Sequence, residues 1–300
     1  MSWASRLEPN ERAGIASVSV AAILILLKGY GSWETGSAAV LGSLADTALD
    51  LIASIVTFYS VRLAATPADR QHRYGHGKAE AIAAFFQLVL ISISAFGIIV
   101  RSAQQLMAGA RPQAAETGIS VSAIALVLTL LLVAYQRRVI ARTGSLAIGT
   151  DKIHYQSDVM LNLGVIAALV IEHYMGISGA DAVAGMAIGV WLLYGAWHAS
   201  RRAIDQLMDR EWPEERRRAF AEVAGRHPEL RGIHNLRTRT SGGDDFAEFH
   251  VWVDAGMTLG EAHRVMDEVE RKLGKAFPGV DITIHPEPEG HLDPGEENHP

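Results

Sequence analysis

Apolar runs long enough to cross a bilayer recur through the first two-thirds of this chain, and no other feature narrows the fold as much. A helix needs about 20 apolar residues to span the hydrocarbon core. Six windows qualify as spans, at roughly 13–32, 38–62, 80–107, 117–138, 150–172 and 179–203. Acidic residues interrupt the second and the fifth, so a hydropathy profile alone is apt to drop one and report five.

Basic residues support the count of six. The link after the second span carries Arg62, Arg70, Arg73 and Lys78, and the link after the fourth carries Arg137, Arg138, Arg142 and Lys152. The links after the first and fifth, "GYGSWETGS" and "EHYMGISGAD", have no Lys or Arg. Cytoplasmic loops collect Lys and Arg, so both termini are expected in the cytoplasm. Arg101 and Arg111, beside the link after the third span, fit this pattern less well. Lys28 falls near the outer end of span one, where its stem can snorkel to the interface. The N-terminus shows no cleavable signal.

The chain has 300 residues, and its last third reads as a soluble domain. A helix over "PEERRRAFAEVAGRH" precedes two strands, "LRGIHNLRTRTSG" and "FAEFHVWVDAG", joined by a turn at "SGGDD". A second helix, "TLGEAHRVMDEVERKLGKAF", begins at a Thr cap, and "VDITIHPEP" closes the domain as a strand. The order αββαβ predicts a small α+β sheet with both helices on one face. The expected domains are 1–208 in the membrane, 209–288 in the cytoplasm and a disordered acidic tail over 289–300. With no cysteines, disulfides and thiolate metal sites are excluded; a net charge of −6 is no footprint for nucleic acid.

The second span reads "SAAVLGSLADTALDLIASIVTFYSV" and the fifth opens with "TDKIHYQSDVMLN". Asp46 and Asp50 stand i, i+4 apart, as do His154 and Asp158, so each pair shares one helix face. An Asp at mid-bilayer costs about 2.5–3.5 kcal/mol on insertion scales. Three of them cost roughly 8–10 kcal/mol. Interhelical hydrogen bonds or a wet crevice would explain one such residue. Two pairs in two antiparallel spans fit a shared partner better: a cation, protons or both. Asp46, Asp50, His154 and Asp158 make four N/O ligands, which suit tetrahedral Zn²⁺. One imidazole favours zinc-like metals over Mg²⁺ or Ca²⁺. Ligands must shed protons to bind metal, so metal and protons compete for the same groups. Asn162 reads as a helix-packing residue.

Two further histidine clusters stand outside the spans. The loop "DRQHRYGHGKAE" contains Asp69, His72 and His76, with Gly75 and Gly77 marking a tight turn. A plain solvated loop explains it as well as a metal site does. The soluble domain carries His234, His250, His263 and His285, plus Glu287, near the ends of its elements. His227, His291 and His299 read as bystanders.

"SLADTALD", "DRQHRYGHGKAE" and "HYQSD", in that order ahead of an αββαβ domain, resemble the cation diffusion facilitator family. The likeness is to its bacterial zinc/proton antiporters of the YiiP type and covers nearly the whole chain. The resemblance implies a transporter and not an enzyme: a homodimer in a bacterial inner membrane that exports Zn²⁺, with Cd²⁺ as a mimic, in exchange for protons. It implies a transport site at Asp46, Asp50, His154 and Asp158, and a loop site at Asp69, His72 and His76. It implies a regulatory binuclear zinc site at His234, His250, His263, His285 and Glu287 in a ferredoxin-like, metallochaperone-like domain. The family usually has Asp where this chain has Glu287. Lys78 and Asp209 match a charge pair tying the two parts at the dimer interface. The family's manganese branch tends to carry Asp at the position of His154, so zinc is expected.

Three rivals remain on the residues alone. A passive cation channel needs easy release, which tight four-ligand coordination opposes. An intramembrane metalloprotease needs HExxH or its like, which is absent. A membrane-embedded metal sensor explains the cytoplasmic histidines but not the buried aspartates.

Overall fold

A computed structural model describes residues 8–35, 38–108, 119–175 and 179–290. The chain forms two compact units, Met1–Ile204 and Asp205–Pro300. The expected disorder of the tail lies almost wholly outside the described residues.

Six long helices make up the first unit: α1 (Pro9–Thr35), α2 (Ala38–Ala64), α3 (Lys78–Ala108), α4 (Ile119–Thr143), α5 (Leu146–Met175) and α6 (Ala180–Leu207). Each extends about 40 Å, more than a bilayer core. Helices satisfy every backbone group internally, as hydrocarbon requires. Their outward faces expose large apolar side chains such as Ile52, Ile93, Phe96 and Leu131. Inward faces are small: Ala13, Ala21, Ala53, Ala84, Ala95 and Ala147 are all buried. Such residues let helices approach closely, the main source of packing where lipid removes the hydrophobic drive. Gly185 and Gly189 of α6 show the limit, since a Cβ there would lie 2.4 Å from Ser102 Oγ and 2.6 Å from Ile99 Cγ1 of α3.

Five of the six helices are apolar enough over a continuous window to cross a membrane by composition, and α5 is the exception among the described residues. Asp151, Lys152, His154 and Asp158 stand in its first half. The turn into α5 is tight. Gly144 adopts φ 67° and donates its N–H to Ile140 O at 2.8 Å, closing α4. Ser145 then caps α5, its Oγ accepting from Ile148 N at 3.3 Å and donating to the buried Glu80 at 2.5 Å.

Lys28, partly buried, donates from its Nζ to the buried Thr47 Oγ1 across the α1–α2 contact at 2.7 Å.

The second unit has the expected order: α7 (Glu214–Ala224), β1 (Gly232–Ser241), β2 (Asp244–Val253), α8 (Leu259–Ala276) and β3 (Val280–Pro288). The strand order is β1-β2-β3, with β1 and β2 antiparallel and β2 and β3 parallel. Period-2 alternation sends Ala247, Phe249, Val251 and Val253 of β2 into a core with Phe220 and Ala224 of α7 and Val265, Met266, Val269 and Leu273 of α8. Both helices therefore cover one face of the sheet. Thr258 caps α8 in a reciprocal capping box with Glu261.

The other face of the sheet carries the polar alternation, and a bulge keeps it in phase. His234 opposes His250 and Arg237 opposes Glu248, so Asn235 and Leu236 together face Phe249. Asn235 takes φ 49° to make room for the extra residue. Leu236 still reaches the core, while His234 and Arg237 both stay on the open face. Without the bulge, one of those two would point into the helices.

Candidate metal centres

Among the described residues, three groups of carboxylates and imidazoles bring their ligand atoms within 4.8 Å of one another. One is in the membrane unit, one in the loop between α2 and α3, and one on the open face of the sheet.

In the membrane unit, Asp50 of α2 meets His154 and Asp158 of α5. His154 Nε2 lies 2.7 Å from Asp50 Oδ1, with both side chains less than a fifth exposed. Two bare lone pairs would repel at that distance, so in the metal-free site the contact requires a proton on one of the two atoms. Ser157 Oγ donates to the carbonyl of His154. The helices run antiparallel, as expected: Asp50 meets His154, and one turn along α2 Ser54 meets Asp151, one turn back along α5. Asp46 lies one turn before Asp50 on α2, but its side chain is outside the described residues, as is that of Asn162.

The α2–α3 loop folds around Asp69. Its Oδ1 accepts from the backbone N–H of Gln71 at 2.7 Å and His72 at 2.6 Å. Those backbone bonds hold its carboxyl below the usual Asp range, so it is ionised at neutral pH. Gly75, at φ 78°, turns the chain back so that His76 Nε2 lies 3.5 Å from Asp69 Oδ2; His72 Nδ1 is 3.5 Å from Oδ1. Thr66 Oγ1 lies 3.0 Å from His76 Nδ1 and steadies the ring from behind.

On the sheet, strand pairing sets the geometry. His234, His250 and His285 stand opposite one another across three adjacent strands. Glu287 is only 2% exposed, beneath the imidazoles. Its Oε1 meets His250 Nδ1 at 2.7 Å and its Oε2 meets His234 Nε2 at 3.1 Å; His285 Nε2 is 3.7 Å from Oε1. Burial raises the Glu287 carboxyl pKa, but the bonds from His250 and His234 outweigh it and leave the pKa below the ordinary value. Trp252 stacks on His234 with ring centroids 4.3 Å apart. Two imidazoles and an ionised carboxylate converging on one point are a donor set that suits zinc.

His263 takes no part in a cluster among the described residues. It lies on the exposed side of α8, 3.8 Å from Asp267. Ala262, Val265, Met266 and Val269 mark the stripe of α8 that packs on the sheet, and His263 falls beside it, apart from the other four residues within one chain. Asp209 follows α6 at φ 53°, with its Oδ1 3.6 Å from Arg239 Nη1 of β1, and Lys78 opens α3. His227 is buried and lies 3.3 Å from Glu268, as a structural bystander would.

Sequence reasoning missed Asp151, which is fully buried on α5. It stands at the start of the fifth span beside Lys152, where charges usually belong to a loop. Its i, i+3 and i, i+7 spacing to His154 and Asp158 was the available signal.

Comparison with known proteins agrees with this architecture. Residues 14–208 match a model of the cation efflux transmembrane domain, and residues 212–289 match one of the cytoplasmic domain of cation efflux proteins, a dimerisation domain. A protein from Pectobacterium atrosepticum named cation-efflux pump FieF is 42% identical over 276 residues, covering 92% of each chain. The FieF protein of Cronobacter sakazakii is 40% identical over 277 residues, again 92% of each. A solved metal-bound C-terminal domain of the CzcD transporter from Thermotoga maritima is 28% identical and covers 27% of this chain and 95% of that one, with a TM-score of 0.26. Matched along both units by family models and along 92% of its length by a relative at 42% identity, this chain belongs to the cation diffusion facilitator family and is a multi-pass membrane transporter for cation efflux, not an enzyme.

Proposed function

We propose that the protein exports Zn²⁺, with Cd²⁺ as an accepted mimic, in exchange for protons. The carrying observation is the 2.7 Å contact between His154 Nε2 and Asp50 Oδ1. The proton between them occupies lone pairs that a metal ion would need. Zinc entering from the cytoplasm displaces that proton and is held by Asp50, His154 and Asp158, with Asp46 as the fourth ligand. The helices rearrange to open the site outward. Protons then compete for the same atoms and the metal leaves. One imidazole among carboxylates favours zinc-like ions over Mg²⁺ and Ca²⁺.

The protein works as a homodimer in a bacterial inner membrane, with both termini in the cytoplasm. In the cytoplasmic domain, His234, His250, His263, His285 and Glu287 would hold resident zinc as a binuclear site, which would supply a fixed positive charge where two protomers approach. We assign it to regulation, the loop site at Asp69, His72 and His76 to metal capture, and Lys78 and Asp209 to the join between the two parts of the dimer.

Proton release on adding Zn²⁺ to the purified transporter tests the exchange. Parent protein should release more protons per zinc than Asp50→Ala, and equal stoichiometry would refute the assignment.

A further inference from the structure

One turn from the Asp50–His154 contact, toward the N-terminal end of α5, lies a second polar layer that the exchange cycle leaves unused. At its centre is Asp151, 0% exposed. Its Oδ1 accepts from Gln87 Nε2 of α3 at 3.3 Å and from Ser54 Oγ of α2 at 3.5 Å; its Oδ2 accepts from Gln136 Nε2 of α4 at 2.7 Å. Gln136 Nε2 also donates to Ser17 Oγ of α1 at 2.9 Å, and Gln87 Nε2 to Thr57 Oγ1 of α2 at 2.6 Å. Tyr155 completes the layer, its hydroxyl 2.8 Å from Ser54 Oγ and donating to Ser17 O at 3.3 Å. Side chains of α2, α3 and α4 thus meet on one carboxylate of α5, and α1 joins the layer through Ser17.

Helix packing does not require an acid there, and burying one is costly. The amides show what the acid imposes. Gln87 and Gln136 both turn their nitrogens toward Asp151, and the Oε1 atom of each is buried with no hydrogen-bond partner among the described residues. An acceptor-only group at the centre forces both amides the same way, even at the expense of their carbonyls. The layer is bound to the metal cluster through shared backbone. Ser54 is one turn from Asp50 on α2, Asp151 is one turn from His154 on α5, and Tyr155 adjoins His154.

We propose that Asp151 is a positioning residue for the transport site. Its carboxylate fastens α3 and α4, through Gln87 and Gln136, to the turn of α5 that aims His154 at Asp50. The inference rests on reading Asp50, His154 and Asp158 as the transport site. Asp151 acts on metal only through that turn. In Asp151→Asn, a single acceptor and a new donor replace two acceptors, so one glutamine must turn over and the brace loosens.

The test is zinc transport by the full-length protein in proteoliposomes, with KM and Vmax separated. Groups that orient ligands are worth about 10–100-fold in metal affinity. Asp151→Asn should therefore raise KM for zinc about tenfold, with a smaller change in the Tm-corrected Vmax. Asp151→Asn with Gln136→Glu returns a carboxylate to the other end of the same bond, and should bring KM back to within about threefold of the parent. Gln136→Met breaks one strut without touching the acid and should raise KM in the same direction, which decides the matter if Asp151→Asn fails to fold. A mere fold brace would lower Tm and active fraction while leaving KM alone. Unchanged KM in Asp151→Asn and Gln136→Met, alongside normal transport by the parent, overturns this proposal. Absence of zinc transport by the parent would instead overturn the exchange reading on which it rests.

Discussion

The membrane cluster and the sheet cluster use the same chemistry in opposite proportions. Asp50, His154 and Asp158 combine one imidazole with two carboxylates, and His234, His250 and Glu287 combine two imidazoles with one carboxylate. The membrane set offers two carboxylates to one imidazole in a low-dielectric bundle, a negative excess that favours a cationic partner. The sheet set has one carboxylate already satisfied by two imidazoles. The scaffolds differ too. Strand pairing pins His234, His250 and His285 in a fixed register, whereas the membrane ligands stand on two helices with no ladder between them. Helices held by side-chain packing can shift against each other; hydrogen-bonded strands cannot without breaking the ladder. Excess charge on a movable frame suits turnover, and balanced charge on a rigid one suits retention.

Removing a membrane ligand should sharpen that contrast most. Asp158→Asn should cut proteoliposome zinc flux by about 100-fold or more, since a transition state that loses a charged ligand loses several kcal/mol. The same variant should leave zinc binding at the sheet unchanged by titration. A comparable loss at both sites would mean that the clusters are not independent.

Glu287→Ala is the converse. It leaves His234 and His250 without their acceptor and should weaken zinc at the sheet by about 10–100-fold in a competition titration. Transport should slow only a few-fold, about 1 kcal/mol or less in barrier. Abolished transport would make the sheet cluster part of the translocation path.

A pH series separates the regions without substitution. Glu287 has a depressed folded-state pKa, so its contribution to the metal-free sheet domain is fully present above the ordinary Glu value of 4.5 and is lost as pH falls below it. Protection factors of the β3 amides, corrected for intrinsic exchange at each pH, should therefore fall below about pH 4.5, and Glu287→Gln should flatten that change. A loss that begins as pH rises would have the wrong sign.

The smallest effect belongs to the scaffold. Thr258→Ala removes the capping box of α8 and should cost about 1 kcal/mol of sheet-domain stability in denaturant unfolding. Zinc transport should not change.

Much of this was legible in the sequence because it follows short periods. The i, i+4 spacing of His154 and Asp158, the period-2 strands and the Thr258 cap are local patterns, and each has a local physical cause. What stayed hidden depends on distance along the chain. Asp151 looks like a loop charge until Gln87 and Gln136, 64 and 15 residues away, close on it. The bond from Lys28 to Thr47, 19 residues away on the next helix, is likewise set by the fold. The bulge at Asn235 carries no glycine to announce it, and only pairing with β2 exposes the extra residue.

The most direct test is to load proteoliposomes with a pH-sensitive dye, impose a pH gradient and follow zinc and protons together. Exchange predicts that zinc entry is accompanied by proton exit, that an opposing gradient slows it, and that Asp50→Asn loses both fluxes at once. Zinc flux that ignores the gradient and moves no protons would show that metal and hydrogen ions do not share these side chains.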